Sequence, residues 1–263
     1  MILNLELADI LEKSEINYMV DRMTAIKERE GNPEGIEIKR FGESTAFYSK
    51  TMPWGLFNNV KGKISEDVIE DILDFYNERE MNFEIQVIPG NINQEVMKKL
   101  HNKGFYQSGF HTTLFCEPRN QDSFDNDNLE IRELHEDEFD RYAEIHCLGT
   151  GLSLDGKDHV AANNRVLFSR PGWHYYLGLA QGRPAAVAVM YIEDNAASLT
   201  FATTLPEYRN KGFQTSLLLR RIQDAYKNCN LVVSQCSYGS QSHRNMERVG
   251  MRIGYTRAAW TRI

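Results

Sequence analysis

The sequence predicts a mixed α/β fold built in two parts, on three observations. A polar break, "EPRNQDSFDNDN" at residues 117–128, carries no apolar periodicity and divides the 263 residues into 1–116 and 129–263. On both sides of it, amphipathic helical patterns alternate with short runs of strand type. In the second part, "WHYYLGLA", "RPAAVAVMYI" and "ASLTFATTL" follow one another with only the turns "QGR" and "EDN" between them, the mark of an antiparallel meander.

The first part opens with helical patterning. Leu7, Ile10 and Leu11 share a face, followed by Ile16, Met19, Met23 and Ile26, and "GNPEG" ends the region. "STAFYSKTMPWGLFNNVKG" reads as strand and loop. In "SEDVIEDILDFYNERE", Ser65 is a candidate N-cap, acids fill the first turn, and Val68, Ile69, Ile72, Leu73 and Tyr76 form the apolar stripe of a helix. "NFEIQVI" is a strand, "NQEVMKKLHNKG" a helix stopped by Gly104, and "FYQSGFHTTLFC" a closing strand pair. In the second part "LEIREL" is a strand, "HEDEFDRYAEIHCLG" a helix, and the meander follows. A helix runs from about Gly212 to Tyr226. "LVVSQCS" is a near-continuous apolar strand of the buried parallel kind. A short helix "SHRNMERVG" stops at Gly250, and "YTRAAW" closes the chain as a strand. The two closures, "KKLHNKGFYQSGFHTTLF" and "RNMERVGMRIGYTRAAW", share an order of helix, Gly and strand that fits an internal duplication as well as common turn chemistry.

Composition narrows the function. An apolar content of 41% suffices for a core, and a net charge of -7 argues against non-specific nucleic-acid binding, which needs a basic face. The acidic start "MILNLELADILEKSE" has no basic region of a secretory leader, and the longest apolar run, "PAAVAVMYI", is far short of the ~20 residues that span a bilayer, so no membrane role is expected. The four cysteines (Cys116, Cys147, Cys229 and Cys236) show no CxxC spacing and read as reduced thiols of a cytoplasmic protein. The histidines show no ligand spacing, so no metal is expected.

One stretch carries site chemistry. In "LTFATTLPEYRNKGFQTSLLLRRI" a strand ends at Leu205, and a helix starts near Gly212. The first turn of a helix presents unpaired N–H groups and a partial positive charge, a ready anion site. Gly212 allows close approach to backbone, Arg209 and Lys211 add charge, Thr215 offers a hydroxyl, and Arg220 and Arg221 keep the neighbourhood basic. "RNKG" alone would favour an ordinary turn with solvated charges. No Walker or dinucleotide-binding glycine pattern is present.

The whole order, meander, "LPEYRNKGFQTSLL", apolar strand and "GSQSHRNMERVGM", resembles the GNAT superfamily of N-acetyltransferases. Arg209 and Gly212 match the first and fourth positions of the family's acetyl-CoA loop, Arg/Gln-x-x-Gly-x-Gly/Ala, while Gln214 departs from the last. "LPEYRNKG" resembles the family's lead-in, and "SHRNMERVGM" its last motif. The resemblance covers most of residues 129–263, and "PWGLFNNVKG" more loosely resembles the first halves of two-part members. It implies a C-terminal GNAT domain with a degenerate GNAT-like N-terminal companion. It implies that "SLTFATTL" and "LVVSQCS" separate at their C-terminal ends, with the gap after Leu205. Pantetheine would pair with the backbone of Thr203, Thr204 and Leu205. Arg209, Asn210, Lys211, Gly212, Phe213, Gln214 and Thr215 would hold pyrophosphate, with Asn245 a further contact. Acetyl-CoA would serve as co-substrate for an unknown amine. The family's usual acid, a Tyr, is replaced by Met246, and a common strand Glu by a residue near Ser198. Tyr238 and His243 are the remaining catalytic candidates. His146, His159 and His174 are candidates for an acceptor pocket, while Glu193 and Asp194 fall in a turn. A non-catalytic acyl-CoA sensor is the alternative.

Overall fold

A computed structural model describes residues 1–120 and 129–262; residues 121–128, most of the expected polar break, lie outside the described residues. Two compact units emerge. One comprises Met1–Thr113, Cys236–Tyr238 and Ile253–Ile263, and the other Leu114–Gln235 and Gly239–Arg252. The division at residues 117–128 places the last strand with the second part, whereas its contacts place Ile253 onward with the first unit.

The first unit begins with α1 (Leu5–Lys27), capped by Asn4, whose side chain accepts from the Leu7 N–H. Then come β1 (Glu37–Phe41), β2 (Ser44–Tyr48), β3 (Asn59–Gly62), α2 (Ile69–Asn77), β4 (Glu84–Val87), α3 (Gln94–Asn102) and β5 (Phe105–Cys116), which belongs to this unit as far as Thr113. Strand β1 is absent from the expectations above; it pairs antiparallel with β2 across a turn at Gly42. The expected closing pair in "FYQSGFHTTLFC" is instead the single strand β5, because Gly109 does not interrupt it. Ile69, Ile72, Leu73, Phe75 and Tyr76 of α2 pack with Val60, Ile85, Val96 and Phe105 into the core of this unit.

The second unit contains β6 (Leu129–Glu133), α4 (Phe139–Thr150), α5 (Lys157–Arg165), β7 (Trp173–Ala180), β8 (Arg183–Glu193), β9 (Ala196–Thr204), α6 (Phe213–Ala225), β10 (Leu231–Ser237) as far as Gln235, and α7 (Gln241–Arg248). The chain closes with β11 (Arg252–Arg262), which pairs antiparallel with β4. Helix α5 is also absent from the expectations, since its sequence, "KDHVAANNR", has only a faint apolar stripe. The expected meander forms: β6, β7, β8 and β9 are antiparallel in sequence order, and β10 joins β9 in parallel. Its turns place Gln181 and Gly182, and Asp194 and Asn195, at positive φ, the conformation that matches the twist of a tight hairpin. Among the described residues no helix is long and apolar enough to cross a membrane.

Candidate active site

The site grows from an irregularity in β9. Val189 pairs with Phe201 and Tyr191 with Ser198, so β9 spends three steps where β8 takes two. The extra residue is a β-bulge, which bends the strand and breaks its ladder locally. Pairing of β9 with β10 covers Ala196 to Leu199 and ends at Leu199 opposite Ser234. Strand β9 then continues to Thr204 without β10 beside it. The expected gap is therefore present but opens at Thr200, earlier than Leu205, because the bulge turns β9 away there. At the vertex the Ser234 hydroxyl donates to the Leu199 carbonyl at 3.1 Å, a side-chain bond at the last rung.

A buried arginine supports the bulge from α6. Arg221 is 1% exposed, and its Nη1 donates to the carbonyls of Val189 at 3.0 Å and Phe201 at 3.2 Å, while Nε donates to Leu217 O. Burial pushes this guanidinium down to about 10. Arg220 pairs with Asp224 and donates to Ile131 O. Both arginines thus have structural partners, and neither serves as the basic surround expected for the loop.

Beyond the bulge, alternation fixes which backbone groups face the gap. The Leu205 N–H donates to Ala185 O on the β8 side. Strand alternation puts the backbone groups of Thr203 on that same side and those of Ala202 and Thr204 on the open edge. Of the three residues expected to offer backbone, Thr204 does so, and Ala202 joins it. Two buried polar atoms on these strands have no hydrogen-bond partner among the described residues: Thr204 Oγ1 on β9 and Gln235 Nε2 on β10. Buried polar groups are nearly always satisfied, so such a pair on separating strands signals a place for a polar guest.

After β9 the chain makes one turn at Pro206–Tyr208 and enters the loop. Asn210 has φ 61° and Gly212 φ 83°, and Lys211 between them has negative φ. Alternation of left- and right-handed residues turns successive N–H groups inward, which makes an anion-binding concavity. Gly212 is also the N-cap of α6, so the concavity opens onto a helix N-terminus. Asn210, Lys211 and Gly212 are exposed, Gln214 and Thr215 half-buried. Phe213 is buried with Ala180 and Ala185 and anchors the first turn. The Lys211 ammonium sits 5.3 Å from the centre of the Tyr208 ring. Arg209 has a different partner from the one expected: its Nη2 donates at 2.8 Å to Gly149 O at the end of α4, and its Nε lies 3.4 Å from Thr204 O. A cation at a helix C-terminus is favourable. Sequence reading missed this tie because 60 residues separate its ends.

Helix α4 lies on the separated part of β9. A side chain at Gly149 would overlap Thr203, with a new Cβ only 2.7 Å from Cγ2 and closer still to Oγ1. One turn earlier, His146 lies flat on Phe201, ring centres 4.1 Å apart and planes within 9°. Tyr142, one turn earlier again, is fully buried against Phe139 and Tyr175.

The remaining predicted residues divide. Tyr238 is 68% exposed. His243 is 4% exposed, and its Nδ1 accepts the Gly239 N–H at 2.9 Å, which makes it a brace of the turn before α7. Asn245 is buried, with its Oδ1 accepting from Gln241 and Arg248. Ser198 and Met246, where family resemblance leads one to expect Glu and Tyr, are both buried. Among the described residues no group of His, Cys, Asp and Glu could hold a metal ion.

The sequence matches no protein-family model and no curated protein. Solved structures do resemble it. A GCN5-related N-acetyltransferase from Kribbella flavida superposes with a TM-score of 0.66 at 14% identity, over 92% of this chain and 95% of that one. One from Sphaerobacter thermophilus gives 0.62 at 10% identity, over 78% and 72%. A tandem GNAT protein from the clavulanic acid biosynthesis pathway gives 0.59 at 10% identity, over 77% and 74%. Together with the bulged β9, its separation from β10 and the glycine-capped loop, these likenesses assign the chain the GNAT fold in its two-part form.

Proposed function

We propose that the protein transfers the acetyl group of acetyl-CoA to a primary amine of a small molecule or peptide. The observation that carries the reading is the junction of two features in one loop-and-strand unit: a backbone concavity at Asn210–Gly212 capping α6, and the open edge of β9 leading to it. The residues present fit the ligand. The concavity suits a pyrophosphate, and the open edge at Ala202 and Thr204 offers backbone groups to the amides of a pantetheine arm. The orphaned Thr204 Oγ1 and Gln235 Nε2 supply one acceptor and one donor beside it. Acetyl-CoA supplies an activated acyl group; the chain's part is to hold it, orient the amine and manage protons. Residues 129–263 would carry the acetyl-CoA site and residues 1–116 would form the companion domain.

Ser198 and Met246 favour a second reading, a non-catalytic acyl-CoA sensor, because neither can act as base or acid. Thiol release from acetyl-CoA, measured with putrescine, tyramine, an aminoglycoside and a short peptide with a free α-amino group, separates the two. Amine-dependent release supports transfer. Binding of acetyl-CoA without release under any of these conditions supports the sensor.

A further inference from the structure

We propose that the Gln235 side chain donates a hydrogen bond from Nε2 to the carbonyl oxygen of the bound acyl thioester, an inference that rests on the acetyl-CoA reading above. The last rung between β9 and β10 joins Leu199 to Ser234, so Gln235 is the first β10 residue past the point where the strands part. Its Nε2 is buried and has no hydrogen-bond partner among the described residues. A buried amide nitrogen left in that state is costly, and an acceptor brought in by a ligand relieves it.

The direction in which the ligand must lie brings its reactive end to this residue. The cradle for pyrophosphate, at Asn210–Gly212, follows the C-terminal end of β9. An arm that leaves the cradle and pairs with the open edge of β9 runs from Thr204 back toward Thr200. That stretch spans about 13 Å at the rise of a strand. The far end of the arm, which carries the thioester, then comes to the vertex, beside Gln235. The chemistry of the two orphaned groups agrees with this direction. Thr204 Oγ1 stands at the mouth, where the amides and hydroxyl of the arm pass, and a hydroxyl both donates and accepts. Gln235 Nε2 stands at the vertex and only donates, and a thioester offers only acceptors. A side-chain amide can present either end by a half-turn, and a carbonyl guest selects the nitrogen.

The contact has a chemical consequence. When a neutral amine attacks the carbonyl carbon, its lone pair forms the C–N bond and the C=O π pair moves onto oxygen. That pair returns as the C–S bond breaks. The one proton lost by nitrogen goes to the departing sulfur, giving the amide and the CoA thiol. A donor already aimed at the oxygen is worth more as charge collects there than in the ground state. Gln235 transfers no proton itself, so the same contact serves recognition of the acyl group and its transfer.

Gln235→Met keeps the length of the side chain and removes the amide. The full chain, wild type and variant, is loaded with acetyl-CoA carrying an isotope label at the acyl carbonyl, and the carbonyl stretch is read by difference infrared spectroscopy. The band is expected at lower frequency in wild type than in Gln235→Met. Calorimetric titration should give unchanged affinity for CoA, which has no acyl carbonyl, and roughly 2–10-fold weaker affinity for acetyl-CoA. With the amines named above, kcat should fall by roughly 10²–10³-fold. Gln235→Leu serves if the Met variant fails to fold. An unchanged carbonyl band in a folded variant overturns the contact and leaves acetyl-CoA binding standing. Equal weakening toward CoA and acetyl-CoA puts the nitrogen on the arm instead and also overturns it. The band difference in a wild type that acetylates none of the amines supports the contact and overturns transfer. A wild type that binds no acetyl-CoA overturns both.

Discussion

At Gly149 a single methyl group decides whether α4 can rest on β9. A Cβ there would press into Thr203, so the helix would have to lift from the strand edge that lines the proposed site. Overpacking of this kind typically costs about 1–3 kcal/mol. Gly149→Ala should lower the urea midpoint accordingly and weaken acetyl-CoA binding. Thr203→Ala in the same chain removes the obstructing Oγ1 and Cγ2 and should restore much of both. A Gly149→Ala protein as stable as wild type would mean that α4 is not seated there. Residues of this kind were invisible in the sequence, where Gly149 reads as one more helix-end glycine and Arg209 as an anion ligand. Their partners are more than 50 positions away, and no local pattern encodes such a meeting. Gly212 was legible, because strand, basic loop, glycine and helix follow each other within one short stretch.

Among the elements, β9 and α1 show two ways in which polar groups are buried. Arg221 satisfies carbonyls at the bulge without a carboxylate partner. Helix α1 instead buries Glu12 and Glu15 against Lys61 of β3 and Arg257 of β11, all within the first unit. Lys61 Nζ donates to Glu15 at 2.8 Å and also to Gln86, and the Tyr255 hydroxyl donates to Glu12 at 3.0 Å. Two acids face two cations, so the cluster is balanced. Burial by itself would raise the Glu15 carboxyl, but the Arg257 and Lys61 charges outweigh it and hold the group down to about 2, against an ordinary 4.5. A depressed carboxyl stabilises the fold above its unfolded value and loses that contribution as pH falls toward the folded value. Denaturation followed by circular dichroism should therefore show stability falling between about pH 4.5 and pH 2, and Glu15→Gln should flatten that slope. At neutral pH the same variant leaves cations uncompensated in the core and should lose about 3–5 kcal/mol. Glu15→Met combined with Lys61→Met keeps Glu12 and Arg257 balanced and should recover part of it. A Glu15→Gln protein of unchanged stability and unchanged acid slope would show that the pair is not buried in solution. Of the elements, the meander and the helices α2 and α6 were readable from periodicity. Strand β1 was missed because "EIKRF" is mostly polar, and α5 because "KDHVAANNR" offers few apolar positions.

On the scale of the whole molecule, the order of elements carries more information than any single motif. At 10–14% identity few side chains are shared with the solved structures, yet the fold is. The glycine-capped loop was legible because one helix N-terminus and one glycine suffice to build it. Proton-handling groups were not, because a base can be supplied by any element that reaches the gap. The most direct measurement is calorimetric titration of acetyl-CoA into the wild type and into Gly212→Asp, with circular dichroism to confirm folding. Aspartate at Gly212 adds a side chain at a left-handed position and sets a negative charge against the pyrophosphate, where like charges ~4 Å apart repel by ~1 to 4 kcal/mol depending on screening. Lys211→Ala, the control, removes an exposed ammonium and should cost on the order of 1 kcal/mol or less. The expected result is tight binding by wild type, slightly weaker binding by Lys211→Ala and near-complete loss in folded Gly212→Asp. Equal affinity in folded Gly212→Asp and wild type, or no binding by wild type, would contradict the assignment of this loop as the cradle for acetyl-CoA.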